Sequence, residues 1–408
     1  MSTTRTTPTT PTTPTTRRAC LAAPARCVAV VLAGLAGLAV AVGTLAAPAA
    51  AQADASSDIT PESIVAVERA LAQLAATQNP DGSWTGTVGF KLNQSYQVTA
   101  RDVPHVGVTA LAGLAFLSAG HLPDRGKYGP NISRATDFVL GCVQENGLIT
   151  AHETRMYSHA FATLFLAEVY GMKERADIRS KLQAAVDLIV ASQNSEGAWR
   201  YVPYAVESDM SIAVCQLNAL RGARNVGIRV PKSTIERARQ YVAASYVESD
   251  DQRFRYPDDY YWLARGSFKY QATRHSNTRS SFALTAAGIA ALHNSGLYGS
   301  VLEGAGGRMD LAASIDFLEE TYHRVSGSSI YTFHYFYWYG HYYAVQALYV
   351  IGGKHWAWYY PRIRDELVRG QLENGSWPCT QGPGPAFSTA VGAVILSLPY
   401  GYLPIFQR

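Results

Sequence analysis

Cysteine is scarce in this chain of 408 residues: there are five, with Cys20 and Cys27 near the start and Cys142, Cys215 and Cys379 far apart behind them. Three distant thiols cannot form a disulfide framework, and Cys142 and Cys215 lie in apolar helical contexts, as buried thiols do. Also missing are C-x-x-C, H-E-x-x-H, G-x-G-x-x-G, P-loop and G-x-S-x-G patterns. The usual signatures of metals, nucleotides and serine hydrolysis are therefore absent, and the sequence calls for no metal and no cofactor. Charge is sparse at 16% of residues. Period-2 alternation is nearly absent, which argues against a sheet protein.

The first fifty-odd residues stand apart. Ser2–Thr16 is a Thr/Pro stretch, followed by Arg17, Arg18 and Arg26, an Ala/Val/Leu/Gly run from Val28 to Ala46, and Ala51-Gln52-Ala53. Basic, then apolar, then A-x-A is the order of an export signal, so residues 1–53 are expected to be a leader and 54–408 one domain in the periplasm or outside the cell. Uncleaved, the run over residues 28–46 would instead be a membrane anchor. The leader holds four of the 35 basic residues and no acid, so the remainder has 31 basic against 31 acidic residues. A neutral domain lacks the cationic surplus that phosphate binding uses, which excludes nucleic acid as the expected partner.

What the chain does have is repetition. QNPDGSW at Gln78–Trp84, QNSEGAW at Gln193–Trp199 and QLENGSW at Gln371–Trp377 each close a stretch of helical apolar spacing. In each, Gly82, Gly197 or Gly375 permits the positive φ of a helix C-terminus, and Trp84, Trp199 or Trp377 can fold back onto the helix just ended. Weaker copies fall at Gln144–Leu148, near Asp251–Tyr256 and near Val325–Tyr331. The resulting spacing suits two helices and two connections per unit.

Apolar residues at three and four spacing predict helices over 61–77, 105–119, 157–170, 178–191, 211–225, 233–244, 281–294, 311–322, 340–350, 361–371 and 387–398. VTALAGLAFL, AFATLFLAEV and FALTAAGIAAL are apolar on every face and must be surrounded, whereas IRSKLQAAVDLI keeps a charged face for water. This alternation predicts an all-α double barrel of about six helical hairpins, with the last helix packed beside the first to close the ring.

The Q-x-x-x-G-x-W turns on paired helices resemble the QW motifs of the squalene–hopene cyclase and prenyltransferase superfamily, from Pro61 to Pro404. MYSHAFATLFLAEVYG, SIAVCQLNALRGARNVGI, HYYAVQALYVIGG and LSLPYGYLPIFQR resemble exported bacterial proteins with prenyltransferase and squalene oxidase repeats. The resemblance implies an α/α toroid and leaves the activity open. Zinc-dependent prenyl transfer in that superfamily implies an Asp-x-Cys pair, but Leu140, Ala213 and Trp377 stand two residues before the three cysteines. Class II cyclases imply Asp-x-Asp-Asp-Thr with the middle Asp as proton donor. Here Glu207-Ser208-Asp209-Met210-Ser211 keeps Asp209 at the donor position but replaces its neighbours. On its residues alone the same segment reads as a helix cap, in which Asp209 stays ionised.

Two further clusters stand out. His152–His159 gathers Glu153, Arg155, Tyr157 and His159 where an apolar helix begins; His159 could act as acid, base or ligand, or make a structural hydrogen bond. YTFHYFYWYGHYY, with Trp338, Tyr339 and His341, belongs to a chain with 25 Tyr. Aromatic faces bind cations, stack on sugars or fill space, and so many hydroxyls suit a wet, aromatic cavity. Candidate catalytic residues are thus Asp209, His159 and Tyr157; candidate ligand-binding residues are Glu153, Arg155, Glu207, Trp338, Tyr339 and His341. Three readings follow: an exported domain binding an isoprenoid, glycan or peptide in an aromatic cavity without turnover, a class II cyclase-like enzyme with Asp209 as acid, or a glycan lyase or hydrolase.

Overall fold

The computed structural model describes residues 58–92, 95–173, 175–249, 254–255, 262–272, 279–296 and 309–407. All lie in one compact unit, Ala51–Arg408. The leader, the apolar run over residues 28–46 and the first two cysteines lie outside the described residues.

Twelve α-helices form among the described residues: α1 (Pro61–Ala76), α2 (Val106–Ser118), α3 (Gly129–Gly141), α4 (Met156–Met172), α5 (Ala176–Ala191), α6 (Met210–Asn225), α7 (Lys232–Ala244), α8 (Phe282–Asn294), α9 (Leu311–Thr321), α10 (Tyr335–Ile351), α11 (Gly353–Gly370) and α12 (Pro385–Ser397). Even-numbered helices form the inner ring, packing in the order α2, α4, α6, α8, α10, α12 and back to α2. Odd-numbered helices lie outside, and α1 packs on both α11 and α12, so the barrel closes. Every residue of α2 is buried, whereas α7 buries only Thr234, Ile235, Ala238, Tyr241 and Val242. The apolar side chains therefore decide which helix goes inside.

The three repeated turns share one geometry. Gln78 Nε2 donates to Gly82 O at 2.9 Å and to Asn131 O of α3 at 2.9 Å. Gln193 reaches Gly197 O at 2.7 Å and Thr234 O of α7 at 2.9 Å, and Gln371 reaches Gly375 O at 3.0 Å and Ala66 O of α1 at 2.8 Å. Each Trp Nε1 donates back to a helix-end carbonyl: Trp84 to Leu74 at 2.8 Å, Trp199 to Ile189 at 2.7 Å and Trp377 to Leu367 at 2.7 Å. Each motif thus seals the end of one outer helix and ties it to the next. A side chain on the glycine is excluded twice over: φ is +89°, +84° and +87° at Gly82, Gly197 and Gly375, and an added Cβ would lie 2.3, 2.7 and 2.4 Å from a backbone oxygen of the neighbouring outer helix.

The structure departs from the expected elements in four places. A β-hairpin, β1 (Thr85–Leu92) with β2 (Ser95–Pro104), pairs antiparallel from Thr85↔Pro104 to Leu92↔Ser95 with an irregularity around Val88. Helix α3, absent from the expected set, is led by Tyr128, Gly129 and Pro130, which supply no side-chain cap. Helix α10 begins at Tyr335 and not Gly340, because His334 Nδ1 caps it by accepting from Phe336 N at 3.1 Å. Helix α11 begins at Gly353 and carries Pro361 inside it, where the sequence suggested a start. Part of the expected turn near Asp251–Tyr256 lies outside the described residues, which also contain a short pair, β3 (Phe254–Arg255) with β4 (Trp262–Leu263). The glycine that meets the next outer helix there is Gly266, at φ +85° with its Cβ direction against Ala313 of α9.

Candidate functional site

The N-terminal ends of the inner helices surround a central cavity of about 260 Å³. The hairpin covers part of it: Val88, Phe90, Tyr96 and Thr99 line the wall beside helix residues such as Leu111, Phe161, Leu284, Trp338, Tyr342 and Phe387. The lining is mostly apolar and aromatic. Among the described residues that line it, Glu153 is the one carboxylate and Arg155 the one guanidinium.

On one side the wall carries hydroxyls that lead to a buried acid. Tyr157 OH donates to Ser211 Oγ at 2.6 Å, and Ser211 Oγ donates to Asp209 Oδ1 at 2.6 Å. Tyr270 OH donates to Asp209 Oδ2 at 3.3 Å and is paired with Tyr201 OH at 2.5 Å. Tyr339 OH donates to the Ser211 carbonyl at 3.1 Å, and its ring meets that of Tyr157 edge-on at 6.3 Å. Tyr157, Tyr201, Ser211, Tyr270 and Tyr339 face the cavity, and Asp209 lies behind them with no exposed surface.

Asp209 caps α6, accepting from Ile212 N at 3.0 Å. Burial nevertheless pushes its carboxyl above the usual range, against the hydrogen bonds from Ser211 and Ile212 and the charge of Arg200. Capping and a raised pKa therefore coexist here, whereas the sequence made them opposites. The same burial holds the Tyr157 hydroxyl far above its ordinary value, with Asp209 adding to the effect.

The other expected site residues divide. Trp338 and Tyr339 are on the wall, as are Glu153, at the exposed rim with φ 62°, and Arg155. His159 is not. It is fully buried between α4 and α5, with Nδ1 accepting from Ile149 N at 3.1 Å and Nε2 paired with Ala185 O at 3.2 Å. Both nitrogens are used on backbone, and burial lowers its pKa to about 4, so its role is structural. His341 is likewise off the wall, held between Ser326 Oγ at 2.7 Å and Tyr359 OH at 3.0 Å. Glu207 does not line the cavity; it forms an ion pair with Arg200 at 2.9 Å.

Sequence reasoning passed over the hairpin residues, Tyr201, Tyr270 and His105. Val88, Phe90 and Leu92 alternate with glycine and lysine, and Tyr96, Val98 and Ala100 with glutamine and threonine, so a short period-2 signal was there to be read. Tyr201 stands two residues after Trp199, so its place beyond a repeat turn was the available signal. No group of three or more metal-binding side chains occurs among the described residues, and no described helix is long and apolar enough to cross a membrane.

No protein-family model matches the sequence, and no curated protein does either. Solved structures do match by shape. The chain is similar to an alpha-1,6-mannanase of Salegentibacter sp. HEL1_6, with a TM-score of 0.56 and 8% identity over 82% of this chain and 97% of that one. It is similar to a cellobiose 2-epimerase from Bacillus thermoamylovorans, with a TM-score of 0.55 and 12% identity over 80% and 95%. A type II terpene cyclase from Scytonema aligns at a TM-score of 0.48 and 12% identity over 84% and 98%. At these identities the likeness is one of fold, and the fold is an α/α toroid.

Proposed function

We propose that this chain is an exported binding domain that takes an apolar, hydrocarbon-rich ligand of isoprenoid or similar lipid character into the central cavity of its toroid. The observation that carries this reading is the wall itself, which is built from aromatic and aliphatic side chains and partly covered by the β1–β2 hairpin. An apolar, concave and largely pre-formed site of this kind binds by removing hydrocarbon surface from water. Glycan cleavage is less well supported, because a glycosidase sets two carboxyl groups across the sugar and the described residues of this wall offer Glu153 alone. The order of residues 17–53, basic then apolar then A-x-A, supports placing the binding outside the cytoplasm.

The test is to extract the purified full chain with organic solvent, identify any co-purified small molecule by mass spectrometry, and measure thermal stability with added isoprenoid alcohols and with oligosaccharides. A hydrocarbon ligand at a hundred times its Kd should stabilise the fold by about 2.7 kcal/mol. Val391→Trp, which fills the cavity from α12, should abolish that gain. Stabilisation by oligosaccharides alone would overturn the reading.

One observation favours a second reading, a cyclase-like enzyme with Asp209 as acid: its raised carboxyl is joined to the wall through Ser211 and Tyr270. In that case Asp209→Asn abolishes conversion of a bound polyene and leaves its binding intact. If no polyene is converted by the unaltered protein, the binding reading stands alone.

A further inference from the structure

The cavity wall has one cationic corner. Arg155 is the N-cap of α4, and no side chain caps that helix's first turn. Its guanidinium lies 4.5 Å over the Phe90 ring, and it makes no hydrogen bond or ion pair with a described residue. Met156 N donates to Tyr201 O and His159 N to Arg155 O, so Tyr157 and Ser158 hold the first-turn N–H groups without a backbone acceptor.

Two buried side chains point to a ligand at this helix end. Ser158 is 6% exposed, lines the cavity, and its hydroxyl makes no hydrogen bond with a described residue. It is pressed against the start of α2, where a Cβ on Gly107 would come within 2.6 Å of its Oγ. His105, also 6% exposed and on the wall, caps α2 by accepting from Val108 N at Nδ1, 3.2 Å away. Because Nδ1 is an acceptor, the neutral ring carries its proton on Nε2, which makes no hydrogen bond with a described residue.

We propose that this corner binds the head group of an amphiphilic ligand carrying a single carboxylate, with Arg155, the α4 N-terminus, Ser158 and His105 as donors and the aromatic wall holding the apolar chain. A guanidinium and open helix N–H groups together form an anion site. One guanidinium matches one negative charge, and Glu153 at the rim disfavours a dianion such as a phosphate monoester. The proposal rests on the apolar-ligand reading above and adds the chemistry of the ligand's polar end.

The test compares three probes of equal chain length, dodecanoic acid, dodecanol and methyl dodecanoate, by calorimetry on the full chain at pH 8. The acid should bind at least tenfold more tightly than the alcohol or ester, as expected for hydrogen bonds to a charged group. Arg155→Gln should erase that preference, and a thermal unfolding transition matching that of the unaltered protein shows that the variant is folded. Arg155→Lys should keep part of the preference, and Ser158→Ala should weaken the acid about threefold. Equal binding of all three probes, unchanged by Arg155→Gln, overturns the carboxylate site and leaves the apolar cavity standing. Failure of all three to bind overturns both.

Discussion

Burial of two carboxyl groups ties the stability of this protein to pH. Glu168, on α4, is raised from 4.5 to about 7 by burial, against the nearby charge of Arg221 and the N–H of Ile405. Below pH 4.5 both folded and unfolded chains hold the proton. Between 4.5 and 7 the unfolded chain releases it first, so stability is lost as pH rises, by an amount on the order of 3 kcal/mol. Asp209, also raised, adds a loss of the same sign that begins near its ordinary 3.8. Urea midpoints should therefore fall from pH 5 to pH 7.5, and Glu168→Gln should flatten most of that slope. A slope unchanged in the variant would place the titration elsewhere. Asp209→Ala removes the cap of α6 and should cost about 1 kcal/mol, whereas Asp209→Asn, which keeps a capping oxygen, should cost less.

At the scale of elements, the repeated turn is the joint that sets neighbouring outer helices side by side. Gly375→Ala drives a Cβ toward the Arg69 carbonyl at 2.4 Å, while Gly126, with φ +68° but nothing within 4 Å, pays only for its backbone conformation. In denaturant titrations Gly126→Ala should cost about 1 kcal/mol and Gly375→Ala on the order of 3 kcal/mol or more. Similar losses at the two sites would mean that the neighbouring helix yields easily. The turns were legible in the sequence because Gln, Gly and Trp recur at fixed spacing; what the Gln binds was not, since its second acceptor lies on another helix. The hairpin was missed for a related reason. Its alternating apolar residues span only a few positions in each strand, and they become a wall only when six inner helices bring their N-termini beneath it.

For the molecule as a whole, the third turn closes the ring. Gln371 donates to Ala66 O, and Arg69 Nη2 donates to Leu372 O and Glu373 O, both at 2.8 Å, joining the two ends of the array. A closed array has no free end from which to fray. Hydrogen exchange should accordingly protect α1 amides about as well as those of α4 and α6. The double variant Arg69→Ala with Gln371→Ala should lower protection in α1 and α11 first; uniform loss around the ring would show that closure is carried by apolar packing instead.

The sequence by itself determined the all-α class, the count of hairpins and which helix of each pair is buried, because apolar periodicity and fully apolar faces are local properties of the chain. It also marked Tyr157, Asp209, Trp338 and Tyr339, since polar and aromatic residues crowd where inner helices begin. Only the tertiary structure decided which of the candidates share a site. His159 and His341 look as reactive as any histidine in sequence, yet each is enclosed by partners from other segments. Arg155, His105 and Phe90 become neighbours of one cavity through a helix end, a cap and a hairpin that lie up to 65 positions apart. Hydrogen-bond partners and burial are long-range quantities, fixed by how the ring closes and not by any stretch of residues within it.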